Sequence, residues 1–251
     1  MNVISRREFS QQTLGSLLTF SLLQTVFSNE AFGSEIAPIT GKWFSDVNEL
    51  SKDVRGGKIK QLQWQEKLEQ LMSQVDLPEL LKFIDFEKLI LNLEFSERGE
   101  RAVQHKLPEV EGLPTELVFG HQIFAFKKNR SVVPHGHNNM ATAFLILQGE
   151  FHGRHYDRVE DPDDDHMIIR PTIDKQFEAG GFSTISDNKD NVHWFKALSE
   201  TAFIFNIHVV NIDPENKLGG RVYIDPDGEK LSEGRIRTAK MTPHEAHKKY
   251  G

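Results

Sequence analysis

The sequence predicts a mainly β fold with a helical layer on its N-terminal side, and three observations predict it. After Pro114, short runs rich in aromatic and β-branched residues are separated by clusters of Gly, Asn, Asp and Pro, the pattern of an antiparallel sandwich or barrel. Before it, from Ile39 to about Val103, apolar residues recur at helical spacing. The chain has 251 residues, of which 38% are hydrophobic and 27% charged, so there is room for one barrel with a sizeable extension.

The first segment, residues 1–33, reads as an export signal. Arg6 and Arg7 precede Phe9, and no residue from Phe9 to Asn29 carries a charge. The apolar part, Leu14 to Phe27, is interrupted by Gly, Ser, Thr and Gln, which suits a signal-peptide core better than a membrane span of about 20 apolar residues. Small residues around Ala31 and Gly33 permit cleavage. The paired arginines resemble the bacterial twin-arginine signal, whose cargo is exported folded. Ser10 and Gln11 or Gln12 replace the Leu and Lys usual in that motif. The resemblance implies the twin-arginine export machinery as a partner, a periplasmic or secreted location, and no stable membrane insertion after cleavage.

Residues 34–113 are expected to form the helical extension. Trp43, Phe44, Val47 and Leu50 mark one helix and Leu62 to Val75 another, with Gly56-Gly57 as the break. Asp76 before Leu77-Pro78-Glu79 reads as an N-cap with Pro in the first turn. Pro108, Gly112 and Pro114 mark the join to a β domain over 114–212. Residues 213–251 are expected to hold a hairpin turning at Pro226-Asp227-Gly228, then a short helix or a tail with solvated His244 and His247. The acidic run Glu160 to His166 reads as a solvated hairpin loop.

Charge and composition narrow the function. Lys and Arg number 30 against 37 Asp and Glu, a net charge of -7, so a broad nucleic-acid-binding surface is not expected. There is no cysteine, which removes disulfides, thiolate metal sites and a Cys nucleophile. Eleven histidines remain. His135-Gly136-His137 places two imidazoles on one side of a strand, with Cα atoms about 6.6 Å apart. From that spacing both rings can reach one ion, since metal–nitrogen bonds are about 2.0–2.1 Å. His193, in Asn191-Val192-His193-Trp194-Phe195, lies in a second strand-like segment and is the candidate third ligand.

The string from Pro134 through His135, His137 and Met140 to Gly149 resembles the first motif of the cupin superfamily. The position usually held by Glu falls on Ala141 or Thr142, so the fourth protein ligand of ordinary cupins is missing. The resemblance implies a cupin (double-stranded β-helix, or jelly-roll) barrel. Gly149 to Val159, Met140 and Asn191-x-His193-x-Phe195 look like thiol dioxygenases of the plant cysteine oxidase and cysteamine dioxygenase type. That likeness implies His135, His137 and His193 as iron ligands, with O2 and a small thiol as substrates. The Asp found in the plant enzymes about a dozen residues after the third His is replaced by Phe205, with Asn206 and His208 nearby, and their Pro-Pro-Tyr turn is absent.

The expected activity is that of an exported mononuclear non-haem Fe(II) dioxygenase adding O2 to a small thiol or related molecule. Mn, Ni or Zn are the other metals such a site admits. Alternative functions are a non-catalytic metal- or ligand-binding cupin and a non-thiol oxygenase. His152, His155, Tyr156 and His208, on apparent strands beside the motif, are the candidates for substrate positioning or catalysis. By alternation His152, Arg154 and Tyr156 share one face and His155 the other, with Phe151 and Asp157.

Overall fold

The computed structural model describes residues 29–251, so residues 1–28 of the segment 1–33 read as an export signal, Arg6 and Arg7 among them, lie outside the described residues. Four helices open the described chain: α1 (Asn29–Arg55), α2 (Gln61–Met72), α3 (Leu77–Phe83) and α4 (Phe86–Ile90). Among the described residues, no helix is long and apolar enough to cross a membrane. Gly56 and Gly57 end α1 as expected, and Asp76 caps α3 by accepting the Glu79 N–H. The helical pattern expected to run to about Val103 stops at Ile90, and Arg101–Val103 is a strand, β1, paired with β2 (Gly120–Lys127).

The strands that follow are β3 (Ser131–His137), β4 (Met140–Gln148), β5 (Phe151–Glu160), β6 (His166–Phe177), β7 (Phe182–Ile185), β8 (Val192–Ala197) and β9 (Thr201–Val210). Their antiparallel pairs are nested: β2 with β9, β3 with β8, β4 with β7, β5 with β6. A chain that pairs its ends first and its middle last has the winding of a double-stranded β-helix, or jelly roll. Cross-pairs β4–β9 and β5–β8 then assemble two sheets. One has the order β1-β2-β9-β4-β7; the other is closed into a barrel, β10-β11-β6-β5-β8-β3.

The closure comes from β10 (Arg221–Lys230) and β11 (Ile236–Met241), since β10 pairs with both β11 and β3. The hairpin turn expected at Pro226-Asp227-Gly228 lies elsewhere. Those residues form an irregularity within β10, and the chain reverses at Leu231–Arg235, where the Leu231 N–H donates to the Arg235 carbonyl. Ser232–Gly234 is a 3-10 turn there, with Gly234 at φ 69°. The chain ends in a helix, α5 (Pro243–Tyr250), capped by Thr242 and Glu245.

Side-chain alternation divides the apolar residues among three spaces. On the outer face of the five-stranded sheet, Phe203, Phe205 and Ile207 of β9 and Ile123 of β2 meet Phe44, Val47, Trp64, Leu80 and Phe86 of the helices. The Phe44 and Phe205 rings meet edge to face at 5.9 Å. Each such buried side chain contributes about 1.5–3 kcal/mol, so the helical layer is part of the core rather than an appendage. Between the sheets, Phe124, Phe126, Phe144, Phe151, Phe177 and Phe195 form a second cluster. A third, with Tyr156, Met167, Val192 and Ile224, fills the closed barrel.

Candidate metal centre

Strand β3 is buried along its whole length, and with β8 it brings three histidines to one end of the space between the sheets. His135 is the cross-strand partner of His193, and His193 is in turn the partner of His155 on β5. His137, two residues on from His135, turns to the same side. Ring centroids of His135, His137 and His193 are 4.3 to 5.0 Å apart. One ring nitrogen from each lies within 4.8 Å of the others, the disposition of a group that could hold a metal ion.

Hydrogen bonds settle which nitrogens are free. His135 Nδ1 lies 2.8 Å from the Val133 carbonyl, and His193 Nδ1 lies 3.4 Å from the Asn191 carbonyl. A carbonyl can only accept, so both Nδ1 atoms carry the proton and both Nε2 atoms keep a bare lone pair. His137 Nδ1 faces the Thr142 hydroxyl at 3.4 Å, and its Nε2 lies 2.8 Å from that of His135. Two ring nitrogens so close need a proton or a cation between them. Nitrogens bound to one metal sit about 3 Å apart when cis, so the arrangement fits such an ion.

Burial selects the neutral imidazoles that metal binding requires. It pushes His135 and His193 well below the ordinary histidine pKa, and His137 to about 3. Neighbouring positive charge, Arg221 among it, adds to the effect on His135 and His137.

A second layer holds the ligand-bearing strand. Asn191 donates through Nδ2 to the carbonyls of His137, at 2.9 Å, and Ser186, at 3.1 Å. A Cβ on Gly136 would strike the Asn191 side chain, so the central residue of His-x-His is small to admit it. Gln61, Gln65 and Glu69, spaced four apart on α2, form one stripe facing the end of β7. Gln61 bonds to Asp187 through side chain and backbone, Gln65 to Ser186 and Thr184, and Glu69 to Thr184. Helix α2 is thereby tied through Ser186 and Asn191 to the backbone of His137.

In front of the three histidines is a small cavity of about 100 Å³. Its polar lining includes Gln122, Asn206, His208 and Arg221, and Phe124 and Phe144 supply apolar wall. Asn206 donates to His208 Nδ1 at 3.2 Å, which leaves the ring proton on Nε2. The His208 ring occupies the space that a Cβ at Gly120 would take, so Gly120 fixes where it stands. Asn206 Oδ1 is buried without a partner among the described residues. Arg221 reaches the cavity from β10 and has Glu100 3.6 Å away.

The four further candidates separate. His208 lines the cavity. His155 is fully buried in the row of His135 and His193, but against Phe177 and Phe195 and not in the cavity lining; burial lowers its pKa to about 3. His152 and Tyr156 lie on the opposite face of β5, as alternation predicts, and that face turns away from the three histidines. His152 pairs with Asp174, and Tyr156 is part of the cluster inside the closed barrel. Sequence reasoning missed Gln122 and Arg221. Gln122 carried only an alternation signal, and Arg221 arrives by the closure of β10 onto β3, which no local pattern announces. In the acidic run 160–166, Glu160 ends β5, His166 opens β6 and 161–165 form the loop between them, with Arg158 and Lys240 paired to Asp161 and Arg237 and His166 to Asp163.

No family model matches this sequence, and no curated protein matches it. Solved structures resemble its fold. Procruciferin, an 11S globulin from Brassica napus, is 19% identical over 38% of this chain and 21% of its own, with a TM-score of 0.30. This chain thus spans about a fifth of that globulin. An uncharacterized protein with a double-stranded β-helix domain from Klebsiella pneumoniae is 11% identical over 55% of this chain and 86% of its own, with a TM-score of 0.33. The cupin domain of Schizosaccharomyces pombe Cnp3 is 10% identical over 48% of this chain and 71% of its own, with a TM-score of 0.32. The fold is assigned by strand pairing: this is a mainly β, double-stranded β-helix protein with a helical layer and a three-histidine group that could bind a metal ion.

Proposed function

We propose that this chain is a mononuclear non-haem iron dioxygenase that adds O2 to the sulfur of a small thiol. The observation that supports the reading above all is the convergence of three neutral imidazoles, two with Nδ1 fixed on a backbone carbonyl, on one side of a small polar cavity. His135, His137 and His193 would hold the metal. A ferrous ion held there by three neutral ligands would keep its full charge and would supply the redox chemistry that joins O2 to a thiolate. The net change converts R–S⁻ and O2 to R–SO2⁻, with both oxygen atoms ending on sulfur and four electrons passing from sulfur to oxygen.

The chain's other residues bind and orient. A cavity of about 100 Å³ takes a molecule of a few heavy atoms, or the end of a longer one, well below the 300–1,000 Å³ of drug-sized pockets. Arg221 suits an anionic group on the substrate, and the unpartnered Asn206 Oδ1 accepts a hydrogen bond from an N–H or O–H. His208, neutral through burial, offers its Nε2 proton beside them. Phe124 and Phe144 limit water at the site.

A second reading, a non-catalytic metal- or ligand-binding cupin, is favoured by one feature. The residue at the distance of the plant enzymes' Asp is Phe205, and it faces the helices, not the cavity. Oxygen consumption by the iron-loaded protein, tested across a panel of small thiols with and without a carboxylate, separates the two. Thiol-dependent uptake that His137→Ala reduces to background is the expected result; uptake indifferent to that substitution overturns the enzyme reading. Export through the twin-arginine route is part of the proposal and rests on Arg6 and Arg7. Their joint replacement by Lys should leave the protein in the cytoplasmic fraction, and unchanged export would refute that route.

A further inference from the structure

On the helix-facing side of the five-stranded sheet, away from the three-histidine group, a second pair of imidazoles comes together. His121 opens β2, and His105 lies just beyond β1. Their ring centroids are 4.7 Å apart, within the 4.3 to 5.0 Å of the first group. Phe205 packs on both rings, at 5.5 Å from His105 and 6.1 Å from His121. Both ring nitrogens of His105 and Nδ1 of His121 are buried with no hydrogen-bond partner among the described residues. Buried polar atoms are ordinarily paired, so orphaned nitrogens on two adjoining rings point to a ligand that one nitrogen of each ring can share. The two rings adjoin a cavity of about 580 Å³, with Leu107, Val110, Leu113 and Pro114 among its walls.

We propose that His105 and His121 form a second metal site, for a late divalent transition ion such as Cu(II), Ni(II) or Zn(II). Imidazole nitrogen suits these ions, whereas Ca(II) and Mg(II) need an oxygen cage. Burial lowers the pKa of both rings, His105 to about 4, so at neutral pH each presents an unprotonated nitrogen. Among the described residues only the first group brings three His, Asp or Glu donors within mutual reach. The second site therefore has two protein ligands, keeps water or a small cavity ligand in its other positions, and fills after the first. It does not depend on the function proposed above.

Titrating the metal-free full chain with Cu(II), read by calorimetry and electron paramagnetic resonance, tests the site. Wild type should take up two equivalents, the second at least tenfold more weakly. His105→Gln/His121→Gln should take up one, and His135→Gln/His137→Gln should keep the weaker one, which distinguishes failure of either site. Zn(II) titration of wild type labelled with ¹⁵N-histidine gives a readout that needs no variant: the His105 and His121 ring nitrogens should shift only with the second equivalent. A single equivalent in wild type, a second equivalent that survives His105→Gln/His121→Gln in a folded protein, or ring signals that do not move would overturn the proposal.

Discussion

Strand β9 has two faces one residue apart, and they serve opposite ends. Phe203, Phe205 and Ile207 point to the helices and pack into their apolar cluster, with the His105 and His121 rings beside Phe205; Asn206 and His208 point between the sheets and line a polar cavity. Both faces are well removed from water, so burial alone does not mark a site. What differs is satisfaction. From Phe203 to Val209 the side chains that β9 itself turns outward are all apolar, whereas those it turns inward include Asn206, whose carbonyl oxygen has no partner among the described residues. A fold can keep such groups where the surrounding strands fix their geometry.

The sharpest break of this comparison is at the three clustered histidines. His137→Ala or His193→Ala should weaken metal binding by more than about 100-fold, beyond the range for supporting residues, while leaving the helix–sheet core intact. Competition with a chelator and the thermal midpoint of the metal-free protein read the two effects separately. The reverse experiment, Phe205→Ala, should cost about 3–5 kcal/mol of stability through the cavity it leaves, with metal affinity at the three-histidine group little changed. Denaturant unfolding checks it; an equal loss of metal binding would show the two faces to be coupled.

Asn191→Ala tests the link between them, because Asn191 joins the His137 carbonyl to the segment held by α2. Metal affinity should fall about 10–100-fold, measured by the same competition. Gln61→Ala, one step further out on α2, should produce a smaller decrease in the same direction.

The pH dependence of stability gives a further contrast. His155 is buried and its folded-state pKa is lowered to about 3, against about 6.5 in the unfolded chain. Between those values the unfolded chain binds the extra proton, so stability is full above about pH 6.5 and falls as pH drops toward 3. The slope from this residue is at most about 1.4 kcal/mol per pH unit. Unfolding of the metal-free protein at stepped pH should show it, and His155→Gln should make the dependence shallower. An unchanged slope would mean that His155 accepts a proton without loss of the fold.

Much of this could be read from the chain. Gly56-Gly57, the Asp76 cap and the spacing of Trp43, Phe44, Val47 and Leu50 act over a few residues, so the helices followed. The three-histidine group was legible because His-x-His is a statement about strand geometry, and His193 lies on a strand of its own. The turn at Pro226-Asp227-Gly228 was misread: the dipeptide signal is local, but pairing of β10 with both β3 and β11 carries the strand through it. The end of the helices at Ile90 was misplaced for a related reason, since Arg101–Val103 is recruited by the edge of β2.

The amino-acid sequence by itself determined which residues could serve: which face of each strand is apolar, where helices start, and which histidines have ligand spacing. Only the tertiary structure decided which of them serve together. His208 and Arg221 meet in one cavity, and His152 and Tyr156 are turned from it, because β9 pairs with β2 and β10 closes onto β3. Periodicity is a property of neighbours along the chain. A site is a property of neighbours in space, and strand pairing across long separations is what converts one into the other.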